Sequence, residues 1–239
     1  MDPGETSPPR GYRIIVPWRS DHGRRQELWE AARAHWQAAF PALPIVEGDV
    51  PGELFNRAAA INAAAAGDWD VGVILDADVV AAPEQVAQAI DVARSTGRLT
   101  LAFDLYLGLN KPTTDRYLEG RREHLERGVR FRSKVHESSI VVVPRALFDA
   151  LGGFDTRFDS GWGQEDVSFC HAARVIGGGV ERVSGNVWHL FHDKSAAKVR
   201  AQGRGGNVEA KALGDRYRQI TEPDAMRALL AERHARVAG

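Results

Sequence analysis

The sequence predicts an α/β fold in a single domain, a mixed, mostly parallel central sheet flanked by helices. Three observations lead there. Short β-branched runs such as Ile14-Ile15-Val16 and Val71-Gly72-Val73-Ile74-Leu75 suit buried strands. Stretches with apolar residues at helical spacing alternate with those runs, which is the pattern of βαβ units. Hydrophobic residues are 44% of the 239-residue chain, enough for one full core, and the 26% that are charged suffice for its surface.

Met1 to Gly11 is polar and Pro-rich and reads as a flexible leader without the apolar core of a signal peptide. Tyr12 to Val16 is the first strand; Pro17, which cannot donate to a ladder, stops it. A helix is expected over Gln26 to Phe40, with Leu28, Ala32, His35 or Trp36 and Ala39 in register, and Pro41 and Pro44 break it. Ile45 to Glu47 is a short second strand. Glu53 to Ala66 reads as an alanine-rich helix closed by Gly67. The strand from Val71 follows and ends in Asp76-Ala77-Asp78. Pro83 sits where a first-turn proline belongs, so the next helix runs to about Ser95, before a strand over Leu99 to Phe103.

Asp104 to Lys134 is polar and Arg-rich; a helix is expected from about Asp115 to Arg127, and nothing requires the segment to join the sheet. Such an excursion reads as a lid or acceptor region. Ser138 to Val143 is a strand ended by Pro144, and Arg145 to Leu151 a short helix closed by Gly152-Gly153. A helix from Gln164 or Glu165 to about Ile176 precedes short strands at Val180 to Val183 and Val187 to Leu190. Ser195 to Gln219 is basic and interrupted by glycines, and Pro223 to Val237 is a final helix with Met226, Leu229, Leu230 and His234 inward.

Lys plus Arg (31) balances Asp plus Glu (32), a net charge of −1 that argues against a dedicated nucleic-acid binder. Cys170 is the single cysteine, which excludes an internal disulfide or a cysteine-rich zinc site. No apolar run approaches the roughly 18 residues of a membrane span. A soluble, cytoplasmic protein is the expectation.

Chemistry-bearing residues cluster in four loops that follow strands: Pro17 to Asp21, Asp76 to Asp78, Gly161 to Asp166, and Trp188 to Lys194. In an open α/β sheet such loops build one composite site. Asp76 and Asp78 offer hard oxygens suited to Mg²⁺ or Mn²⁺ on a diphosphate, although alternate residues of a strand share a site only where the strand turns. A histidine in the shell favours Mn²⁺. His189 and His192 are available, but three residues apart in an extended segment they face opposite ways, so one ligand is expected from the pair. Two glycines let the backbone around Trp162 approach a ligand, and the indole offers a flat face to a sugar ring. Glu165 and Asp166 fall in a first helical turn, where the dipole favours the ionised form; they serve either as a general base or as plain capping. Arg57 is a phosphate contact or surface charge, and Lys194, Lys198 and Arg204 either close over a diphosphate or form a solvated face.

Three blocks in order resemble GT-A (Rossmann-like) glycosyltransferases, most closely the beta-1,4-galactosyltransferase and polypeptide N-acetylgalactosaminyltransferase-like group. They are Ile14-Ile15-Val16-Pro17-Trp18-Arg19, then Phe55-Asn56-Arg57-Ala58 with Asp76-Ala77-Asp78, then Gly152-Gly153-Phe154-Asp155 through Gly161-Trp162-Gly163-Gln164-Glu165-Asp166. The resemblance implies a metal-dependent, inverting transfer from a nucleotide sugar, a UDP-sugar, to an acceptor hydroxyl. It implies that Pro17, Trp18 and Arg19 hold the base, that Arg57, Asp76 and Lys194 bind the donor, and that Asp78 with His189 or His192 binds Mn²⁺ (or Mg²⁺). His189 fits the polypeptide-transferase spacing and His192, followed by Asp193-Lys194, the galactosyltransferase spacing; His189 is preferred. Trp162, Gly163 and Glu165 would bind the acceptor, with Asp166 as the base beside Glu165. The chain would then divide into a leader (1–11), a nucleotide-sugar half (12–103), an acceptor and catalytic half (104–194), and a basic loop with the C-terminal helix (195–239). Gln164 departs from a common glycine, and Asp104 to Lys134 matches nothing in the pattern, so the acceptor stays open: glycan, protein or small molecule. The alternatives are a retaining transferase or nucleotide-sugar hydrolase on the same scaffold, or a catalytically silent sugar- or nucleotide-binding module. Modified DNA as acceptor is disfavoured by the charge balance.

Overall fold

The computed structural model describes residues 11–159, 163–193 and 208–235. Trp162, Lys194, Lys198, Arg204 and the side chain of His234 lie outside them, as does nearly all of the leader. The main sheet has six strands in the order β2-β1-β3-β8-β5-β9. These are β1 (Tyr12–Pro17), β2 (Ile45–Gly48), β3 (Val71–Leu75), β5 (Leu99–Leu101), β8 (Ile140–Pro144) and β9 (Val180–Arg182). β1 runs parallel to β2 and β3, and β5 to β9; β8 is antiparallel to both β3 and β5.

Side chains alternate across this sheet, as the period of two requires. Ile14, Val16, Val73, Leu75, Ile140 and Val142 face one apolar layer with Leu28, Trp29, Ala32 and Trp36 of α1 (Arg24–Ala39) and Val86, Ala89, Ile90 and Ala93 of α3 (Pro83–Thr96). Ile15, Ile74, Val141 and Val143 face the other layer. It is built from α2 (Arg57–Ala64), α5 (Arg145–Ala150), α6 (Glu165–Ile176), α7 (Val208–Gln219) and α8 (Pro223–Ala235). Both layers are apolar, so burial on both faces explains why these strands read as continuous apolar runs. β2 and α2 approach so closely that a Cβ on Gly48 would lie 2.0 Å from the Ala60 carbonyl oxygen.

Two expectations fail here. The alanine-rich helix starts at Arg57, not Glu53: Asn56 caps it, accepting from the Ala59 N–H at 2.9 Å. Residues 104–134 stay outside the main sheet but add two strands to another, and the helix expected within them fails. β6 (Leu105–Leu109) and β7 (Val129–Ser133) belong to a second, four-stranded sheet in the order β4-β10-β6-β7, with β4 (Val79–Ala81) and β10 (Asn186–His189). The helix expected over Asp115 to Arg127 is instead α4 (Lys111–Leu118), capped by Asn110 and ended near Gly120, whose φ of +87° leaves the helix. Only a 3₁₀ turn, Leu125–Gly128, follows before β7.

Candidate active site

The site begins where β3 stops. Leu75 is the last residue of β3 and Val79 the first of β4, which belongs to the other sheet, so Asp76-Ala77-Asp78 is the corner between the two sheets. The Asp76 N–H donates to the Ser139 carbonyl at 2.9 Å, and the Asp78 carbonyl accepts from the Leu190 N–H at 2.9 Å. The corner lets the two acids share one region, as the sequence required.

Asp78 is buried and faces two imidazoles. His192 Nε2 lies 3.0 Å from Asp78 Oδ2 and His189 Nε2 lies 3.5 Å from Oδ1. The expectation of one inward histidine rests on an extended chain, but β10 ends at His189. The Phe191 N–H then donates to Thr114 Oγ1 of α4 at 2.8 Å, and the bend returns His192 to Asp78. Ligand atoms of Asp78, His189 and His192 all lie within 4.8 Å of one another. Burial opposes the Asp78 charge, but the two histidines outweigh it and hold its pKa below the usual carboxylate range. The two rings differ. The hydrogen bond to Asp78 raises the His192 pKa, whereas burial lowers that of His189. One carboxylate and two imidazole nitrogens form a donor set that fits Mn²⁺ better than Mg²⁺.

Asp76 points the other way, to Arg57 at the first turn of α2. Arg57 Nη2 donates to Asp76 Oδ1 at 2.7 Å, and Nε donates to the same oxygen at 3.1 Å. Arg57 Nη1 donates to Asp166 Oδ1 and lies 3.8 Å from Glu165 Oε1. Burial opposes the Arg57 charge, but Asp166, Asp76 and Glu165 together raise its pKa, so it stays a cation. For Asp166 the balance reverses. Burial, with Glu165 and Asp76 nearby, raises its pKa against the pull of Arg57. The first turn of α6 therefore does not hold Asp166 strongly ionised as the dipole alone implies; three carboxylates share one guanidinium.

Two asparagines explain the Phe-Asn-Arg-Ala helix. The Asn62 amide makes two hydrogen bonds to the Phe154 backbone, donating to its carbonyl and accepting its N–H, each at 2.8 Å. Asn56 donates to the Thr156 carbonyl at 3.0 Å. These bonds tie α2 to the Gly152-Gly153-Phe154-Asp155 turn and so fix Arg57 against α6. Gly153 has φ +69°, and a Cβ there would lie 2.5 Å from Asn62 Oδ1. Gly163 has φ +102°. Gln164, in place of the common glycine, also takes a left-handed φ of +78°, and its side chain accepts from Arg218 Nη1 of α7 at 2.6 Å.

The loop after β1 presents less than expected. The Trp18 ring is buried, 6.2 Å from Trp29, and Arg19 is committed to Asp49 at 2.9 Å and to the Gly52 carbonyl at 3.0 Å. Arg19 is thus a clamp on the 49–52 loop, and its guanidinium also sits 5.5 Å over the Phe55 ring.

Three site residues escape the sequence reading. Arg25, in the first turn of α1, acts electrostatically on Asp78, His189 and His192, and its guanidinium forms no ion pair among the described residues. An Arg24-Arg25 pair at a helix N-terminus, against the dipole, is the available signal. Tyr106 of β6 lies 5.7 Å from His189, and His136 stacks on Tyr106 at 4.0 Å. Burial pushes the His136 pKa down to about 4, so the ring is neutral at physiological pH. No spacing pattern marks either.

No helix among the described residues is long and apolar enough to cross a membrane. No family model and no curated protein matches the chain. Solved structures do. The catalytic domain of Drosophila beta1,4-galactosyltransferase 7, in complex with xylobiose, superposes with a TM-score of 0.51 at 16% identity, over 90% of this chain and 83% of that one. A mannosyltransferase from Pyrobaculum calidifontis, in complex with GDP-Man and Mn²⁺, gives a TM-score of 0.49 at 16% identity, over 95% and 69% of the two chains. Glucosyl-3-phosphoglycerate synthase from Mycobacterium tuberculosis, in complex with Mn²⁺ and UDP-glucose, gives 0.47 at 12%, over 82% and 76%. At 12–16% identity these likenesses speak to the fold alone, and only the first reaches a TM-score of 0.5. With two sheets meeting at the Asp76–Asp78 corner, the chain has the fold of the galactosyltransferase catalytic domain, the GT-A fold.

Proposed function

We propose that the protein is a metal-dependent glycosyltransferase that moves a sugar from a UDP-sugar to an acceptor hydroxyl with inversion at the anomeric carbon. The observation that carries this reading is the pairing, at one corner, of the Asp78–His189–His192 cluster with the Asp76–Arg57–Asp166 chain. Asp78, His189 and His192 would hold the metal, which would neutralise charge on the departing nucleoside diphosphate. Arg25 adds a fixed positive charge on the same side.

The chain's own residues then divide the work. Asp76, held by Arg57, orients the donor. Asp166 takes the proton from the acceptor hydroxyl as that oxygen bonds to the anomeric carbon and the bond to the diphosphate breaks; one displacement inverts the centre. A raised pKa makes Asp166 a stronger base once ionised. Glu165 and Gly163 would face the acceptor; Trp162 and Lys194, expected at the acceptor and the donor, lie outside the described residues. Pro17, Trp18 and Arg19 act on the base indirectly, by setting the loop at 49–55. The galactosyltransferase that shares the fold was solved with xylobiose, and a sugar hydroxyl is the acceptor chemistry proposed for this chain.

A thermal-shift screen of nucleotide sugars with Mn²⁺ tests this. One UDP-sugar should raise Tm, and EDTA should abolish the shift. Absence of stabilisation by every nucleotide sugar in the wild type overturns the proposal.

A further inference from the structure

We propose that Phe131 and Arg130, on the edge strand β7, form an acceptor subsite for a saccharide that carries an anionic group; this rests on the glycosyl-transfer reading above. Phe131 pairs across the second sheet with Gly108 of β6, and Gly108 pairs with His189 of β10, so the three lie in one row. A Cβ on residue 108 would lie 2.0 Å from Phe131 Cε1. Only glycine there allows the ring to lie over β6 toward the metal-binding histidine. Tyr106 bridges the two, 5.5 Å from Phe131 and 5.7 Å from His189. Yet Phe131 keeps 43% of its surface exposed. A seated, half-open aromatic face beside a donor site is the surface that the C–H face of a sugar ring covers.

The charge sits next to it. The Arg130 guanidinium lies 5.7 Å from the Phe131 ring centre and 5.0 Å from that of Phe191, the residue before His192. Arg130 forms no ion pair among the described residues. Residues 127–134 hold Arg127, Arg130, Arg132 and Lys134 and no acid, in a protein of net charge −1. Positive charge is concentrated there, not spread, and a guanidinium left without a carboxylate suits carboxylate or phosphate. Cations on an edge strand also deter edge-to-edge pairing. That accounts for Arg132 and Lys134, but not for a ring seated over glycine.

The test is calorimetry of methyl glucoside, methyl glucuronide and glucose 6-phosphate on the protein loaded with Mn²⁺ and UDP. Both anionic sugars should bind about tenfold tighter than the neutral one, the size of one charge-assisted hydrogen bond. Whichever anion binds better names the acidic group. Arg130→Gln should remove the preference and Phe131→Ala should weaken all three sugars, with Mn²⁺–UDP affinity unchanged in both variants. Equal binding of the three sugars, or a preference that survives Arg130→Gln, overturns the subsite. So does displacement of the glucuronide by a single-stranded oligonucleotide at lower concentration. A wild type that binds no Mn²⁺–UDP overturns the glycosyl-transfer reading and the subsite with it; one that binds Mn²⁺–UDP without discriminating overturns the subsite alone.

Discussion

Asp155, which is buried, and Asp166, which is half-buried, are both carboxylates held by arginine, and their pKa values move in opposite directions. Burial pushes each up. At Asp155 the neighbours win. Arg157 donates to it at 2.8 and 3.0 Å, Tyr217 Oη donates at 2.8 Å, and Arg233 Nε lies 3.4 Å away, so the carboxyl falls below its ordinary range. At Asp166 a single guanidinium is divided among three carboxylates, so the carboxyl rises. Cations outnumber anions in one cluster, and anions outnumber cations in the other. The first closes the fold: Arg233 of α8 and Tyr217 of α7 are pinned to the Gly-Gly-Phe-Asp turn. The second holds more carboxylates than cations, which suits the proposed uptake of a proton by Asp166.

Breaking each cluster should therefore give different failures. Asp166→Asn removes the proposed base and should lower transfer by about 10²–10⁴-fold, with Mn²⁺–UDP affinity retained; surviving turnover in a product assay would move the base elsewhere. Asp155→Ala leaves Arg157 and Arg233 without their buried partner. It should cost about 3–5 kcal/mol of stability in denaturant unfolding, with turnover per folded molecule kept. If stability held and activity fell, Asp155 would belong to the site and the contrast would collapse. The smallest effect sharpens the difference. The rate should fall as pH drops through the raised pKa of Asp166, because the base must be ionised. Glu165 raises that pKa, so Glu165→Gln should shift the acid limb of the pH–rate profile to lower pH; an unmoved limb would mean that Asp166 does not set it.

Much of the fold and of the site is legible in the residues alone. β1, β3 and β8 lie in a sheet buried on both faces, so they announce themselves as apolar runs. Asp76, Asp78, Arg57, Asp166 and His192 fall in loops or first turns, His189 ends β10, and the fold gathers them. The features that escape a sequence reading do so for physical causes. β7 is hidden by its arginines, although Val129-Arg130-Phe131-Arg132-Ser133 alternates with the period of a half-exposed strand. Helix propensity alone places the start of α2 too early, because the Asn56 cap decides it. The return of His192 depends on a hydrogen bond from the Phe191 backbone to Thr114, and no local pattern encodes so distant a contact. The Trp18-Arg19 loop carries the expected residues, but their side chains are spent on Trp29 and Asp49.

Asp78, His189 and His192 are proposed to form a metal centre, and Mn²⁺ binding followed by electron paramagnetic resonance tests it without any substrate. Loss of an outer partner to a metal ligand commonly costs about 10–100-fold in affinity, so loss of a ligand itself should cost at least about 100-fold. Wild type should bind Mn²⁺, Asp78→Ala should lose it, and His189→Ala and His192→Ala should each weaken it. An Asp78→Ala protein that binds Mn²⁺ as tightly as wild type would contradict the account.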